Sequence, residues 1–212
     1  MQRNANHGDA RVVLVRHGRS SHVHTGWIDS AGFCAWRALY EAAGIDESER
    51  APSHLDQLAA SAGLVLSSDA PRAIASARLI ASAREVVVSP VLRELDLHAP
   101  DLGGLRLPLA AWAVAVGGRI LLQTVRSQYP SAAEAARIDE AVGWLGELAI
   151  DHALIIAVTH ASFRRQLANR LLQAGWESER RQRSVKHWSA WVFYRAGVTN
   201  VASPVSDRTT EA

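Results

Sequence analysis

Apolar residues fall along this chain in two kinds of block. Short runs of aliphatic residues with no polar face read as strands buried on both sides. Residues 12–16 (VVLVR) and 152–160 (HALIIAVTH) are of this kind, and 63–69 (GLVLSSD) and 84–90 (REVVVSP) read as two further strands. Residues 187–195 (HWSAWVFYR) alternate and read as a last strand. Longer stretches with helical spacing lie between these runs. Residues 31–43 gather Phe33, Trp36, Ala38, Leu39 and Tyr40 on one side and meet Gly44 at their end. Residues 53–62 open with Ser53 as candidate N-cap and Asp56 three positions on. Residues 70–83 carry Pro71 in the first turn. Residues 109–127 are apolar and helical, with Gly117-Gly118 weakening the middle. Ser131 and Glu134 form a capping-box start for a helix reaching about Ala149, and residues 161–175 make the last helix. Residues 91–108 show no period and read as a loop over the sheet.

Strands alternating with helices predict an α/β fold: a three-layer sandwich with a mostly parallel central sheet flanked by helices. The expected organisation is one domain over residues 11–197, between flexible tails at 1–10 and 198–212.

Composition narrows the picture. A formal net charge of +2 makes no electrostatic case for nucleic acid. Lys186 is the only lysine, so arginine supplies almost every cation. Arginine differs from lysine in gripping oxyanions as a planar fork. Cys34 stands alone, which rules out a disulfide within the chain. No 18-residue apolar run appears, and the polar start MQRNANHGDA does not resemble a signal peptide. The expectation is a soluble cytoplasmic protein with no membrane partner.

Ligands of a parallel sheet bind beyond the carboxyl ends of its strands. Three strands here end in chemistry. The first ends in Arg16-His17-Gly18, the second in Ser67-Ser68-Asp69 before a helix carrying Arg72, and the fourth in Thr159-His160. Parallel strands bring these ends to one edge, so two histidines and two arginines should share a cleft. Arginine forks suit phosphoryl oxygens, and a histidine can be a covalent nucleophile. A second imidazole can donate to developing charge. Gly18 is expected to let the backbone approach a ligand.

The set resembles the histidine phosphatase superfamily, also called phosphoglycerate mutase-like. "LVRHGRS" stands for the family's opening motif, and "VLSSDAPRAIASARLI" for its Ser-rich turn and arginine helix. "VLRELDL" stands for its acidic loop and "IAVTHAS" for its last strand and histidine. The resemblance covers roughly residues 11–195 and implies roles. His17 would be the nucleophile that becomes phosphohistidine, and Arg16, Arg72, His160 and Ser20 would hold the phosphoryl group. Glu94 would protonate the leaving oxygen, with Asp96 and Asp101 as alternative acids. Ala161 after the second histidine, in place of Asp, points to the branch of mutases and small phosphatases.

Some positions depart from the family pattern. Val23 stands where Asn is common, Arg19 where Gln or Glu is, and Ser20 where Thr is. The segments 22–47 and 98–112 also differ, which puts the family's usual substrates in question. Candidates for lining the leaving-group pocket are Trp27, Trp112, His98, Arg106 and His187; Phe33 and Trp36 are further candidates, with core packing the preferred role for both.

Three functions compete. The first is a phosphomonoester hydrolase acting on a small phosphorylated metabolite. The second is a phosphoglycerate mutase-type transferase, disfavoured by the short stretch between Glu94 and His160. The third is a non-catalytic phosphate-binding domain, disfavoured by the intact arginine and histidine set. No metal and no cofactor is expected, because "HVH" at 22–24 supplies too few ligands. Oligomeric state is left open. His17 would attack as a neutral imidazole, favoured by the neighbouring arginines, with a backbone carbonyl near Gly18 as the candidate acceptor of its Nδ1 proton.

Overall fold

The computed structural model describes residues 10–126, 128–178 and 184–196. In chain order the elements are β1 (Ala10–Arg16), β2 (Trp27–Ile28), α1 (Ser30–Ala42), α2 (Ser53–Ala60), β3 (Leu64–Ser68), α3 (Pro71–Ala81) and β4 (Val86–Ser89). A short 3-10 turn at Pro90–Leu92 follows, then β5 (Leu107–Pro108), α4 (Leu109–Val125), α5 (Ala132–Asp151), β6 (Leu154–Thr159), α6 (Ala161–Gln173) and β7 (Ala190–Arg195). The main sheet has the order β4-β3-β6-β1-β7, parallel throughout except for β7.

The absence of a polar face on the strands has the expected cause. Val12 and Leu14 pack with Leu145 of α5 and Phe163 and Leu167 of α6 on one face. Val13 and Val15 pack with Leu55 of α2 and Ala73, Ala77 and Ile80 of α3 on the other. Burying each large aliphatic side chain contributes about 1.5–3 kcal/mol, so alternate residues of one strand hold both helical layers. This is the expected sandwich. Among the described residues no helix is long and apolar enough to cross a membrane.

A third cluster lies apart from the sheet. Phe33 of α1 packs with Trp112 and Val116 of α4. The two-residue strands β2 and β5 pair antiparallel and join these helices into a cap. The segment expected as loop, 91–108, therefore contains part of this ribbon. Its lack of period reflects how short the ribbon is. Gly117-Gly118 does not break α4, which runs unbroken through both.

Local expectations meet mixed outcomes. The capping box is present, with both Ser131–Glu134 hydrogen bonds made. Ser53 is not an N-cap. Pro52 holds that position without a side-chain bond, and Ser53 is already helical. Asp29 instead caps α1, its side chain accepting from the Gly32 amide. Ala10, expected in the tail, opens β1, while the remaining tail residues lie outside the described ones.

Gly18 serves packing rather than a ligand. A Cβ there would stand 2.6 Å from Cζ2 of Trp188. That indole is buried, and its Nε1 donates to Glu49. Gly143, in the middle of α5, has open space where a Cβ would go. Gly18→Ala is expected to lower stability by about 1–3 kcal/mol through overpacking. Gly143→Ala should raise it by about 0.5–1 kcal/mol through helix propensity. Urea denaturation checks both, and equal effects of the two would refute the packing role of Gly18.

Candidate active site

The ends of β1, β3 and β6 reach one sheet edge because β6 pairs parallel with both neighbours, Thr159 opposite Arg16 and Val158 opposite Ser67. The His17 amide extends this ladder, donating to the Thr159 carbonyl at 3.0 Å. The two imidazoles then stand with ring centroids 5.0 Å apart, and both are buried. Arg72, in the first turn of α3 and 1% exposed, reaches both rings. Its Nε donates to His17 Nε2 at 3.3 Å and its Nη2 to His160 Nδ1 at 3.2 Å.

These contacts fix the tautomers. An arginine can only donate, so His17 Nε2 presents its lone pair. His17 Nδ1 is 2.7 Å from the Gly18 carbonyl and must carry the proton. Gly18 is thus the residue that aims the ring, as expected. By the same argument His160 Nδ1 accepts from Arg72, and its Nε2 donates to Ser68 Oγ at 2.9 Å. His160 therefore does not offer an Nδ1 donor in this state. It can do so if the Ser68 hydroxyl reverses and donates to Nε2, or if the ring takes up a proton. Burial pushes both imidazoles well below their usual range, with the Arg72 and Arg16 charges acting in the same direction.

Arg16 ends β1 with its guanidinium beside the Tyr40 hydroxyl and bonded to the Val185 carbonyl. Among the described residues its buried Nε has no partner.

Glu94 sits in the loop after the 3-10 turn, and its carboxylate accepts from the Phe163 amide at 2.7 Å, Ser162 at 3.2 Å and Leu95 at 3.0 Å. The first two are orphan donors at the start of α6, whose N-cap residue, His160, makes no side-chain cap. Glu94 thus supplies an anion at that helix N-terminus. Burial raises its carboxyl above the ordinary value, against the lowering effect of the three amides. Arg137 holds the loop from α5 through the Val91, Arg93 and Glu94 carbonyls.

Arg16, His17, Arg72 and Glu94 line one cavity of about 780 Å³, which runs between α1, α4 and α6. Ser20 does not line it. Its side chain turns to its own loop and accepts from the His22 amide at 3.2 Å. None of the five proposed pocket residues lines it either. Trp27 is 61% exposed on the cap ribbon, with its carbonyl accepting from Arg106. Trp112 is buried in the cap core, and His98 is exposed and outside the lining. His187, the fifth, backs His17, its Nδ1 3.1 Å from the His17 carbonyl. Phe33 and Trp36, expected chiefly in the core, form part of the cavity wall. Among the described residues no group of three or more metal-type ligands gathers.

Sequence reasoning missed three contributors. Glu41 of α1 pairs with Arg72 Nη2 at 2.9 Å. Tyr40 lies under the same guanidinium, 4.6 Å from ring centroid to Cζ, and its carbonyl accepts from Nη1. Arg164, fully buried in α6, holds the 184–189 loop behind His17 through Ser184 and Ser189, and burial lowers it to about 10. On a helical wheel Tyr40 is one more apolar residue and Glu41 a solvated acid, so neither carried a signal.

Two imidazoles and two guanidiniums at the carboxyl edge of a parallel sheet are the constellation of a phosphoryl-binding α/β protein. The chain belongs to the histidine phosphatase superfamily (branch 1), whose family model matches residues 12–201. It is similar in fold to a structure described as mycobacterial hydrolase 1, at 20% identity over 91% of this chain and 98% of that one, with a TM-score of 0.55. A mycobacterial glucosyl-3-phosphoglycerate phosphatase aligns at 19% identity over 90% and 98%, TM-score 0.53. The α-ribazole phosphatase from Shigella flexneri aligns at 18% identity over 89% and 96%, TM-score 0.50. At such identities the likeness establishes the fold. No curated protein matches the chain significantly.

Glu41 occupies a guanidinium that an oxyanion would use. Glu41→Gln should therefore tighten binding of inorganic phosphate by about tenfold, well within the effect of a unit charge a few ångströms away. Calorimetric titration measures this. Unchanged or weaker binding means that Glu41 does not compete for the fork.

Proposed function

We propose that the protein is a phosphomonoester hydrolase that forms a phosphohistidine at His17 on a small phosphorylated metabolite. The observation that carries the reading is the tautomer of His17. Its Nε2 keeps the lone pair, accepting from Arg72 Nε beside the cationic cavity that His17 lines, while the Gly18 carbonyl holds the opposite proton. A phosphoryl group has to displace that Arg72 bond. Burial and the arginines keep the ring neutral, which a nucleophile requires. The unpartnered Arg16 Nε supplies a donor in want of an oxygen. Similar structures include phosphatases with different named substrates, which favours the reaction class over any one substrate.

In the first step Nε2 attacks phosphorus, the bond to the alcohol oxygen breaks, and Glu94 gives that oxygen its proton. Arg16, Arg72 and His160 hold the non-bridging oxygens as charge moves onto them. In the second step water attacks phosphorus, the P–N bond breaks, and the Glu94 carboxylate takes the proton from water. Phosphate leaves, and the Nε2 lone pair is restored. No step calls for a metal, and treatment with a chelator should leave turnover unchanged.

Hydrolysis of an aryl phosphate tests the class. His17→Ala should cost at least about a thousandfold in kcat. Glu94→Gln should cost roughly 100- to 10,000-fold for alkyl phosphates and much less for aryl phosphates, whose oxygen leaves without a proton. Near-normal hydrolysis by His17→Ala would overturn the mechanism.

The pH dependence follows from the signs of the shifts. Activity is lost on the acid side only when His17 protonates, well below the usual imidazole range. It is lost on the alkaline side, for alkyl phosphates, as Glu94 gives up its proton above the ordinary carboxylate value. The kcat/KM profile for alkyl phosphates should therefore be a bell with its acid limb well below the usual imidazole range and its alkaline limb above the ordinary carboxylate value. In Glu94→Gln the alkaline limb assigned to Glu94 should vanish. An alkaline limb unchanged in that variant would assign the acid to another residue.

A further inference from the structure

The phosphoryl end of the cavity accounts for only part of its volume, and the remainder has a different chemistry. On α1 the rings of Phe33, Trp36 and Tyr40 form a continuous wall, with neighbouring centroids 5.6 Å and 5.2 Å apart. Opposite, α4 presents Leu109, Ala113, Val116, Gly117 and Ile120. Leu97, from the loop that carries Glu94, lines the cavity as well.

Most polar side chains on these walls already have partners within the protein. Arg37 donates to Glu41 at 3.2 Å and to the Leu97 carbonyl at 2.9 Å. Glu41 is held by Arg72, and Glu94 by the amides of α6. Thr124 donates to the Ile120 carbonyl at 2.8 Å, and the Tyr129 hydroxyl is bonded with Ser162. A sugar or polyol leaving group needs converging, uncommitted donors and acceptors. Arg165 and Gln166 of α6 are polar lining residues with no such commitment, and Arg165 is exposed. Among the described residues Trp36 Nε1 is the buried wall donor without a partner.

We infer that the leaving group is a bulky, largely apolar alcohol with a flat body, seated between the aromatic wall of α1 and the aliphatic face of α4. The substrates are then phosphate monoesters of aromatic or comparable hydrophobic alcohols. The inference rests on the hydrolase reading and names the substrate class of that site. Gly117 is the feature that opens the aliphatic face. It lines the cavity, and a Cβ there meets no atom within 4 Å. A side chain at this position enters the space assigned to the alcohol, and replacing a mid-helix glycine favours α4 rather than breaking it.

The experiment compares 2-phenylethyl phosphate with glycerol 1-phosphate, two alkyl esters that both need a protonated leaving oxygen. The phenylethyl ester should have a kcat/KM roughly 10- to 100-fold higher. Gly117→Leu should remove most of that preference, read as the ratio of the two kcat/KM values. Gly118→Ala, next to it but outside the lining, should keep the preference. A second arm needs no turnover. Calorimetry on His17→Ala should show phenylethylphosphonate binding at least about tenfold more tightly than methylphosphonate.

Esters hydrolysed without preference, or with preference for glycerol, overturn the substrate class and leave the hydrolase reading intact. No hydrolysis of any ester, with the phosphonate preference present and lost in His17→Ala carrying Gly117→Leu, overturns the hydrolase reading and supports the apolar pocket. Equal phosphonate binding overturns the pocket.

Discussion

The site depends on a permanently charged guanidinium, that of Arg72, buried at the end of a parallel sheet. A charge taken out of water is tolerated only when its donors are satisfied. Here the partners come from both imidazoles, from Glu41, and from the carbonyls of Tyr40 and Glu41. This one requirement orients His17 and His160 and helps to hold both rings neutral. It also pins α1, and with it the aromatic wall of the cavity, against the sheet edge. The tautomer of His17 and the aromatic wall of the cavity are thus linked through a single side chain.

Glu94 is subject to opposed demands of a similar kind. The amides that begin α6 favour its anion, while burial favours its neutral form, and burial prevails. The proton-donor role proposed for Glu94 needs that balance, because such a group must release its proton and recover it within one cycle. The helix start supplies a fixed cradle for the charged form. The anionic state is then not stranded when the proton has gone.

What was legible in the sequence was what local pattern controls. The buried strands, the major helices and the Ser131–Glu134 capping box follow from period and residue type alone. So does the gathering of Arg16, His17, Arg72 and His160, because parallel strands share an end. The packing role of Gly18 and the pocket lining were missed because each depends on a contact between distant segments, and the turn of Ser20 because it is made within its own loop. Gly18 answers to Trp188, far along the chain, and Ser20 to its own loop. Phe33 and Trp36 do belong to the cap core, and a helical wheel cannot show that the same rings also line a cavity. Ser53 has the residue type of a cap, but Pro52, whose φ is already set, takes the position.

The cap has a hydrophobic core of its own, centred on Phe33, Trp112 and Val116. Leu97 is the residue that packs against both this cluster and the α5–α6 side of the main core. Two nearly independent cores mean two nearly independent mutational neighbourhoods. Substitutions that reshape α1 or α4 propagate into the sheet chiefly through Leu97 and through the ties of α1 to Arg72. On the proposed function, the part of the cavity lined by α1 and α4 can therefore drift towards new leaving groups while the part lined by Arg16, His17 and Arg72 stays as it is. Such a division lets one reaction be inherited and its substrate be reinvented.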